Sequence, residues 1–364
     1  MKILTVQDYL RSGGTERQTV LLSNAFAAAG HAVTLATFRP GGPLAGTLSE
    51  RVAHHVLQPF NLGLDWFAPG LAPFSAKLAP DVILCMGRMA NCYAGHLQAQ
   101  RPGPVVATMR TGKKLPWLFR RSLQHCRHVV ANGHEARETL VRDYALPAEK
   151  TSVIPNALVF PPASSATGGE VAAERASVRT RFGAGPATLV LVCVAMFRPE
   201  KNQRELIEIA ARLPAGLDWQ LWLAGDGPAR RTCERLVRAR GLGDRVKFLG
   251  FQRNPSPLYA AADVAVHASW SEALSNFLIE AQAHGVPFVA YEAQGIRECG
   301  IPGRTGWPIA RNHRDEFGAA IVRLTARSAT ARAALQGEAR AYARTTFDPE
   351  RQVAAYLELF RRLG

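Results

Sequence analysis

Two glutamates separated by seven residues are the chemical groups whose spacing is most informative in this sequence. Between Glu272 and Glu280 the apolar positions recur with helical spacing, which predicts a helix that begins near Ser275. Glu272 then precedes the helix and Glu280 lies in its second turn, so both carboxylates can line one pocket at the helix N-terminus. Such a pair suits the hydroxyls of a sugar and a ribose that flank a diphosphate. The spacing is also compatible with a solvated Glu280 and a Glu272 that only balances the helix dipole.

Two cations form a second candidate group. Arg198 and Lys201 lie in a predicted loop between an apolar strand that ends at Ala195 and a helix that begins near Asn202. Cations at a strand-to-helix loop can neutralise a departing pyrophosphate, where negative charge grows during group transfer. The alternative is a pair of solvated surface charges.

A glycine pair, Gly13 and Gly14, precedes a helical run near the start of the chain. Adjacent glycines at a helix N-terminus allow backbone N–H groups to approach an anion closely. The alternative is a loop that only needs positive φ angles. The complete dinucleotide fingerprint G-x-G-x-x-G is missing here, which argues against a nicotinamide or flavin enzyme.

Short apolar strands alternate with amphipathic helical stretches along the chain, which predicts two α/β domains, each with a doubly wound parallel sheet. The predicted strands are 3–6, 32–38, 82–85, 105–108, 129–131 and 153–154, followed by 189–194, 221–224, 246–249, 264–266 and 288–290. Between these groups, the uncharged Pro-, Ser- and Gly-rich residues 161–169 predict a linker. We expect Rossmann-like domains at 1–165 and 166–346 and a final helix within 347–364 that packs back toward the first of them. Ligands of such sheets bind at the carboxyl ends of the strands.

The composition describes a globular protein with anionic partners. The 364 residues predict about two domains, and 47% hydrophobic with 20% charged residues excludes a disordered chain. The net charge of +15 favours phosphates, nucleic acid or an acidic membrane. Six scattered cysteines without a CxxC pair favour a reducing cytoplasm. Residues 1–6 and 187–197 are too short to be a signal peptide or a membrane span, so we expect no membrane-crossing segment.

The segment 101–130 is strongly basic. It contains seven Lys or Arg and no Asp or Glu, and it includes the apolar run Trp117, Leu118 and Phe119. This composition suits an anionic bilayer surface, where each basic residue contributes about 1 kcal/mol. A basic helix with a buried aromatic face is the alternative. Arg110 and Lys113 are also suited to hold a phosphate or carboxylate of a substrate.

Several motifs occur in an order that resembles the retaining glycosyltransferases of family 4, which have the GT-B fold. They are SGGTER (12–17), VIPNA (153–157), FRPEKN (197–202), LAGDGP (223–228), VKFLGF (246–251) and SEALSNFLIEAQAHGVPFVA (271–290). The resemblance implies two Rossmann-like domains facing across a cleft, with 1–165 on the acceptor side and 166–346 binding the nucleotide-sugar. It further implies sugar transfer from a UDP- or GDP-sugar to a hydroxyl with retention of configuration, without a metal or another cofactor.

The resemblance also implies roles for individual residues. Glu280 would hold the nucleotide ribose, Glu272 would face the donor sugar, and Lys201 would bind the leaving phosphate oxygens. The other implied donor-binding residues are Gly13, Gly14, Gly250, Phe251, Leu274, Ser275, Asn276 and Phe277.

The chain departs from the family pattern at three places. Ala195-Met196 stands where many relatives have Gly-Arg, and Arg198 is the candidate to replace that arginine as a catalytic cation. Ala273 stands where glycine usually follows the first glutamate. Arg110 stands where many relatives have histidine, which makes Arg110 and Lys113 candidates for the acceptor side.

We therefore expect a cytoplasmic glycosyltransferase of bacterial surface-glycan or lipopolysaccharide biosynthesis. Its expected acceptor is a phosphorylated or lipid-linked glycan, its expected location includes the inner face of the cytoplasmic membrane, and no nucleic-acid partner is expected. One alternative is a GT-B nucleotide-sugar 2-epimerase, which would turn over the donor without an acceptor. The other is a basic nucleic-acid-binding protein, which the net charge favours although no RNA-binding or zinc-finger motif is present.

Overall fold

The computed structural model describes residues 1–160 and 168–364, so most of the predicted linker lies outside the described residues. The chain forms two compact units. Residues Met1–Ala157 and Phe347–Gly364 make up the first, and Leu158–Thr346 make up the second. The predicted boundary between residues 165 and 166 also lies outside the described residues, and it stays a prediction.

The first unit contains a seven-stranded parallel sheet with the order β3-β2-β1-β4-β5-β6-β7. Its strands are β1 (Lys2–Gln7), β2 (Ala32–Thr37), β3 (Val52–Val56), β4 (Val82–Cys85), β5 (Val105–Met109), β6 (His128–Ala131) and β7 (Thr151–Val153). Its helices are α1 (Gly14–Ala28), α2 (Leu71–Leu78), α3 (Arg88–Ala99), α4 (Trp117–His125), α5 (His134–Arg142) and, from the end of the chain, α13 (Pro349–Leu363). Two apolar clusters cover the two faces of the sheet, as parallel strands require.

The C-terminal helix α13 belongs to the first unit. Asp348 caps it by accepting a hydrogen bond from the N–H of Arg351 at 2.8 Å, with Pro349 in the first turn. Its inner face carries Tyr356 and Phe360, whose rings pack edge-on against Phe26 of α1 at centroid distances of 6.1 and 5.7 Å. The contacts with α1 bury the apolar stripe of α13 in the core of this unit.

The second unit contains a six-stranded parallel sheet with the order β10-β9-β8-β11-β12-β13. Its strands are β8 (Leu189–Val194), β9 (Trp219–Ala224), β10 (Val246–Gly250), β11 (Val264–His267), β12 (Phe288–Tyr291) and β13 (Gly306–Ile309). Its helices are α6 (Gly168–Arg181), α7 (Gln203–Ala210), α8 (Arg230–Ala239), α9 (Ser256–Ala261), α10 (Asn276–Ala283), α11 (Arg314–Thr325) and α12 (Ala329–Thr346). The strand order turns back between β8 and β11, so the loops after these two strands leave the sheet at its topological switch point.

The doubly wound sheets predicted from the alternation are confirmed, but two strands are additional to the prediction. These are β3 and β13, and each lies at an edge of its sheet. The sequence of β3, VAHHV, is mostly exposed, and that of β13 contains Gly306 and Pro308. Edge strands tolerate polar residues and proline because one side has no neighbouring strand, which removes the apolar signal. No helix in residues 1–160 and 168–364 combines the length and apolarity needed to traverse a bilayer.

Candidate active site in the second unit

The loops that follow β8 and β11 meet at the switch point of the second sheet. The Nζ atom of Lys201 in the first loop lies 2.5 Å from Oε1 of Glu272 in the second. The backbones are also joined, because the carbonyl oxygen of Glu200 accepts hydrogen bonds from the Trp270 N–H at 3.1 Å and the Ser269 hydroxyl at 2.9 Å. The fold therefore brings together the leading cation and the leading carboxylate of the sequence prediction.

Glu272 is an almost fully buried carboxylate with a second partner. Its relative exposure is 8%, and Nε2 of His267, the last residue of β11, lies 2.7 Å from Oε1. Burial lowers the pKa of His267, an effect that the hydrogen bond to Glu272 only partly offsets. The imidazole is therefore neutral at pH 7, and its Nε2–H donates to the carboxylate. Both partners of Glu272 contact Oε1, which directs Oε2 away from this cluster.

Charge and hydrogen bonding set the ionisation of Glu272. Burial by itself raises the pKa of this carboxyl group, but the positive charge of Lys201 and the hydrogen bonds from His267 and Lys201 outweigh it. The net result is a pKa far below the ordinary value of 4.5. Glu272 thus carries a negative charge at every pH at which the protein is expected to work.

This depressed pKa makes a prediction for acid stability. Below pH 4.5 Glu272 is protonated in the unfolded chain but stays ionised in the folded chain. The unfolded state therefore binds more protons, and the free energy of unfolding decreases as the pH is lowered. We expect Glu272 to add up to about 1.4 kcal/mol per pH unit to the loss of unfolding free energy below that pH. Urea unfolding at a series of pH values measures this slope. The Glu272→Gln variant should show a shallower decline, and identical slopes would contradict the prediction.

Helix α10 provides the second carboxylate and a helix N-terminus. It begins at Asn276 with Ser275 as the N-cap residue, close to the prediction, although the Ser275 side chain makes no capping hydrogen bond. The hydrogen bond from the Ile279 N–H to the carbonyl oxygen of Ser275 is the first of the helical ladder. The N–H groups before Ile279 therefore have no acceptor within the helix. Leu274 and Phe277, two of the predicted donor-binding residues, are buried.

Glu280 lies in the second turn of α10, as predicted, and is held by a neighbouring helix. The hydroxyl of Tyr259 in α9 donates a hydrogen bond to its Oε2 at 2.7 Å. The Tyr259 ring also stacks on Phe277 at 6.1 Å, so both ends of this tyrosine contact α10. Glu280 itself is half-buried, unlike the solvated alternative.

The loops after β9 and β10 complete the same edge of the sheet. Asp226 accepts hydrogen bonds from the Phe251 N–H at 2.8 Å and from Arg230 at 2.6 Å, so it fixes the start of the loop after β10. Gly250 has a φ of +68° and ends β10 with an irregular register, after which Phe251 is 49% exposed. Phe251, one of the predicted donor-binding residues, is thus an exposed aromatic ring on a loop fixed by Asp226.

The loop after β12 supports the backbone beside Glu272 from the other side. Gly295 has a φ of +72°, and a Cβ at this position would overlap the carbonyl oxygen of Ala273. Glycine is therefore required here both by conformation and by space. Arg311 adds a hydrogen bond to the carbonyl oxygen of Trp270 at 2.9 Å.

Arg198, the other predicted cation, is half-buried at the start of the short 3₁₀ turn Pro199–Lys201. Its guanidinium makes no hydrogen bond or ion pair within residues 1–160 and 168–364. The second unit therefore offers one cation bound to Glu272 and another whose donors remain available on the same loop.

The predicted residues of the first unit lie at the carboxyl edge of its own sheet. Gly13 is the N-cap residue of α1 with a φ of −76°, so the alternative of a loop that needs positive φ is wrong at this position. Arg110 follows β5, and its guanidinium donates to Oδ1 of Asn156 at 2.5 Å and to the Tyr356 hydroxyl at 2.8 Å. Arg110 thus joins α13 to the sheet. Lys113, in the loop before α4, is exposed.

Two site residues are absent from the sequence prediction, His267 and Tyr259. Each positions one of the two glutamates through a hydrogen bond. The sequence does contain a sign of His267, because it is a polar residue at the end of an otherwise apolar strand. Ligands of such sheets bind at the carboxyl ends of the strands. Tyr259 carries no comparable signal, because its pairing with Glu280 depends on how α9 packs against α10.

Comparison with known families matches both units. Residues 12–158 match the model described as Glycosyltransferase Family 4, and residues 188–327 match Glycosyl transferases group 1. Together these matches span more than half of the chain. The chain belongs to glycosyltransferase family 4. This membership agrees with the resemblance drawn from the motifs.

Individual family 4 relatives are similar over part of their length. The α-D-kanosaminyltransferase of Streptomyces kanamyceticus is 31% identical over 212 residues, which cover 57% of this chain and 53% of the relative. The lipopolysaccharide core biosynthesis glycosyltransferase LpsE of Rhizobium meliloti (strain 1021) is 34% identical over 160 residues, covering 44% and 45%. The chain thus spans about half the length of these relatives.

Solved structures establish the fold of this family 4 chain. Anabaena Alr3699/HepE, crystallised in complex with UDP, is 22% identical with a TM-score of 0.83, and the match covers 100% of each chain. WaaG, a glycosyltransferase involved in lipopolysaccharide biosynthesis, is 18% identical with a TM-score of 0.74 over 96% of this chain and 98% of WaaG. The predicted GT-B fold is thereby confirmed.

Proposed function

We propose that this protein is a retaining glycosyltransferase that transfers a sugar from a UDP- or GDP-sugar to a hydroxyl acceptor. The observation that carries the proposal is the cluster of Lys201, Glu272 and His267 at the switch point of the second sheet, beside the N-terminus of α10. A switch point is where open α/β sheets bind nucleotides. A lysine beside a helix N-terminus suits a diphosphate.

In this proposal, Lys201 and Arg198 neutralise the diphosphate as it leaves. Lys201 contacts Glu272, and a diphosphate oxygen of the bound donor can take over part of this contact. Arg198, on the same loop, has its donors available for a second phosphate oxygen. The charge they stabilise develops in the transition state, which is where such cations accelerate a reaction.

Glu272 would bind a hydroxyl of the donor sugar rather than attack it. Its depressed pKa makes it a poor base, and its Oε1 is occupied by His267 and Lys201. Oε2 remains the oxygen able to accept a hydrogen bond from the sugar. His267 is then a positioning residue that fixes the orientation of this carboxylate.

Glu280 and Phe251 would bind the nucleoside. The Tyr259 hydroxyl holds one carboxylate oxygen of Glu280, which orients the group to accept hydrogen bonds from the ribose hydroxyls. The exposed ring of Phe251 offers a surface for the base. Glu280 lies on α10 and Phe251 on the loop after β10, so the two would contact the nucleoside from different elements of one sheet edge.

The proposed reaction breaks the bond between C1 of the sugar and the phosphate oxygen, whose electron pair stays with the diphosphate. The acceptor hydroxyl forms the new C1–O bond from the same face through an oxocarbenium-like transition state. Its proton passes to the departing phosphate, so the step needs neither a side-chain nucleophile nor a metal ion.

On the acceptor side we propose a phosphorylated or lipid-linked glycan of a bacterial surface polysaccharide. The basic loop between β5 and α4, with Lys113 exposed, supports an anionic group on that acceptor. Arg110, which is bound to Asn156 and Tyr356, would act by positioning this loop. The relatives that build lipopolysaccharide core agree with this class of acceptor.

Donor binding is the direct test. In a thermal-shift screen with UDP, GDP, ADP and their sugars, we expect one nucleotide family to raise the melting temperature, because a ligand of the folded state stabilises it. Glu280→Ala should weaken the affinity for that nucleotide by about tenfold or more, since it removes charge-assisted hydrogen bonds to the ribose. Isothermal titration calorimetry measures this change, with the exposed Glu149→Ala as the matched control.

The outcomes of this screen separate the alternatives. Absence of any shift would overturn the donor assignment. Epimerised or hydrolysed donor in the absence of acceptor would favour the 2-epimerase, and an inverted product anomer by nuclear magnetic resonance would contradict retention. Salt-dependent binding of DNA or RNA that is unaffected by UDP and GDP would favour the nucleic-acid-binding alternative.

A further inference from the structure

A concentration of exposed apolar side chains lies in the first unit, outside the proposed donor site. The structure describes ten large hydrophobic side chains that are exposed, and seven of them fall in two short segments. Five belong to the apolar loop, residues 60–67, and two to the start of α4. They are Phe60, Leu62, Leu64, Trp66, Phe67, Trp117 and Leu118. Contiguous exposed apolar residues of this kind indicate an interaction surface.

The apolar loop is ordered by its polar groups and not by burial of its apolar ones. Gln58 donates hydrogen bonds to the carbonyl oxygens of Leu64 and Phe67 at 2.8 and 2.7 Å. The Tyr93 hydroxyl donates to the carbonyl oxygen of Trp66 at 2.7 Å. These bonds fix the backbone while Trp66 remains 56% exposed. The fold therefore presents these rings to solvent at a cost that a partner would remove.

Charges of both signs lie beside the apolar loop. Asp65, its only charged residue, is bound by both Arg11 at 2.5 Å and Arg39 at 2.6 Å. Asp8 and Glu16 also lie close enough to Arg11 to interact with its charge. The Arg39 guanidinium also lies over the Tyr9 ring, with its carbon 4.1 Å from the ring centroid. The loop thus combines exposed aromatic rings with arginines that are paired with acidic residues, and it contributes apolar surface more than net charge.

The start of α4 supplies the basic part of the surface and leaves the same edge of the sheet. Strands of a parallel sheet all end at one edge, so the apolar loop, which follows β3, and the segment before α4, which follows β5, share it. Trp117 and Leu118 are exposed there beside the exposed Lys114, Arg120 and Arg121. Phe119 is buried, so α4 has the buried aromatic face of the alternative, but Trp117 and Leu118 of the same apolar run are exposed.

We propose that the apolar loop and the first turn of α4 form a surface that inserts into the headgroup region of an anionic lipid bilayer. Tryptophan and phenylalanine partition into this region, and lysine and arginine beside them attract acidic lipids. A protein partner would require a shaped counterpart, whereas a bilayer accepts apolar side chains on two separate segments at one sheet edge. The inference goes beyond the proposed sugar transfer, to which it would add the place where a lipid-linked acceptor is met.

The test is vesicle flotation of the full chain. One set of vesicles contains phosphatidylethanolamine with phosphatidylglycerol, and the other contains phosphatidylcholine alone. We expect binding to the first set, and the double variant Phe60→Ser with Trp66→Ser should lower that partitioning by about tenfold or more, because it removes the two most exposed rings of the apolar loop. Val159→Ser, a change at an exposed apolar residue of the second unit, is the control and should bind as the native chain does.

A charge variant tests the electrostatic part. Changing Lys114, Arg120 and Arg121 together to glutamine should lower binding to phosphatidylglycerol vesicles by about tenfold or more and leave any binding to phosphatidylcholine unchanged. All variants should keep the native melting temperature and the native nucleotide-induced shift. Because these readouts do not depend on lipid, failure of vesicle binding leaves the proposed donor site intact.

Three results would overturn the proposal. The first is that the native chain binds neither kind of vesicle, and the second is that the Phe60 and Trp66 double variant binds as well as the native chain. The third is a concentration-dependent dimer in sedimentation velocity that the double variant abolishes while its vesicle binding is unchanged. The last result would assign the surface to a second copy of the chain. Quenching of tryptophan fluorescence by brominated acyl chains, lost in the double variant, would support insertion.

Discussion

In the Lys201→Ala variant, kcat for sugar transfer is expected to fall by about a hundredfold or more. The Lys201 ammonium is a preorganised charge at the point where the proposed leaving diphosphate gains negative charge, and removal of one such stabiliser commonly has this effect. The measurement is steady-state turnover, followed by release of the nucleoside diphosphate from the donor identified in the thermal-shift screen. Turnover near the native value would contradict the assignment.

Loss of folding must be separated from loss of catalysis in this variant. Without Lys201, the charge of Glu272 stays buried with only the neutral His267 beside it, which lowers stability as well. Turnover is therefore compared well below the melting temperature of each variant. Lys201→Arg keeps the charge and should recover part of the activity, and Lys247→Ala, on β10 of the same unit, should leave kcat unchanged.

The Gly295→Ala variant is expected to lose roughly 2 to 5 kcal/mol of unfolding free energy. A left-handed alanine costs about 1 to 2 kcal/mol, and overpacking against backbone adds about 1 to 3 kcal/mol. The overlap is with the Ala273 carbonyl, so relief of strain must displace the segment between Glu272 and α10. Activity of the folded protein should fall together with stability. Urea denaturation and turnover measure the two effects.

Gly303 provides a matched control for Gly295. Its φ is +75°, nearly that of Gly295, but a Cβ there would lie in open space. Gly303→Ala should therefore cost only the conformational part, about 1 to 2 kcal/mol, with little change in turnover. Equal losses in the two variants would show that conformation alone explains the requirement for glycine at Gly295.

The sequence patterns predict the interior of both sheets better than their edges. The predicted strands 82–85 and 189–194 agree with β4 and β8 at both ends, because strands buried on both faces are continuous apolar runs. The edge strands β3 and β13 are missed because β3 is mostly exposed and contains two histidines, while β13 contains Gly306 and Pro308. In the tail, no proline or glycine marks the break at 326–328 between α11 and α12.

In the candidate site, too, the sequence predicts single residues better than it predicts the contacts between them. The family motifs single out Glu272, Glu280 and Lys201 one at a time, each at the end of a predicted strand or the start of a helix. That Lys201 and Glu272 touch follows from the adjacency of β8 and β11, and chain order does not reveal this adjacency. The role of Arg110 is likewise decided by α13, which returns from the far end of the chain to bind it.

By itself the sequence determined the class of fold, the order of its central elements, the family, and the charged residues from which the candidate site is built. Those properties are local, since they depend on periodicity, residue type and spacing within a few turns. Only the tertiary structure decided which of these groups touch, how deeply Glu272 is buried, that His267 and Tyr259 hold the two glutamates, and that residues 60–67 leave their rings in solvent. Burial and pairing depend on contacts between segments far apart in the chain, so their energies exist only once the sheets have formed.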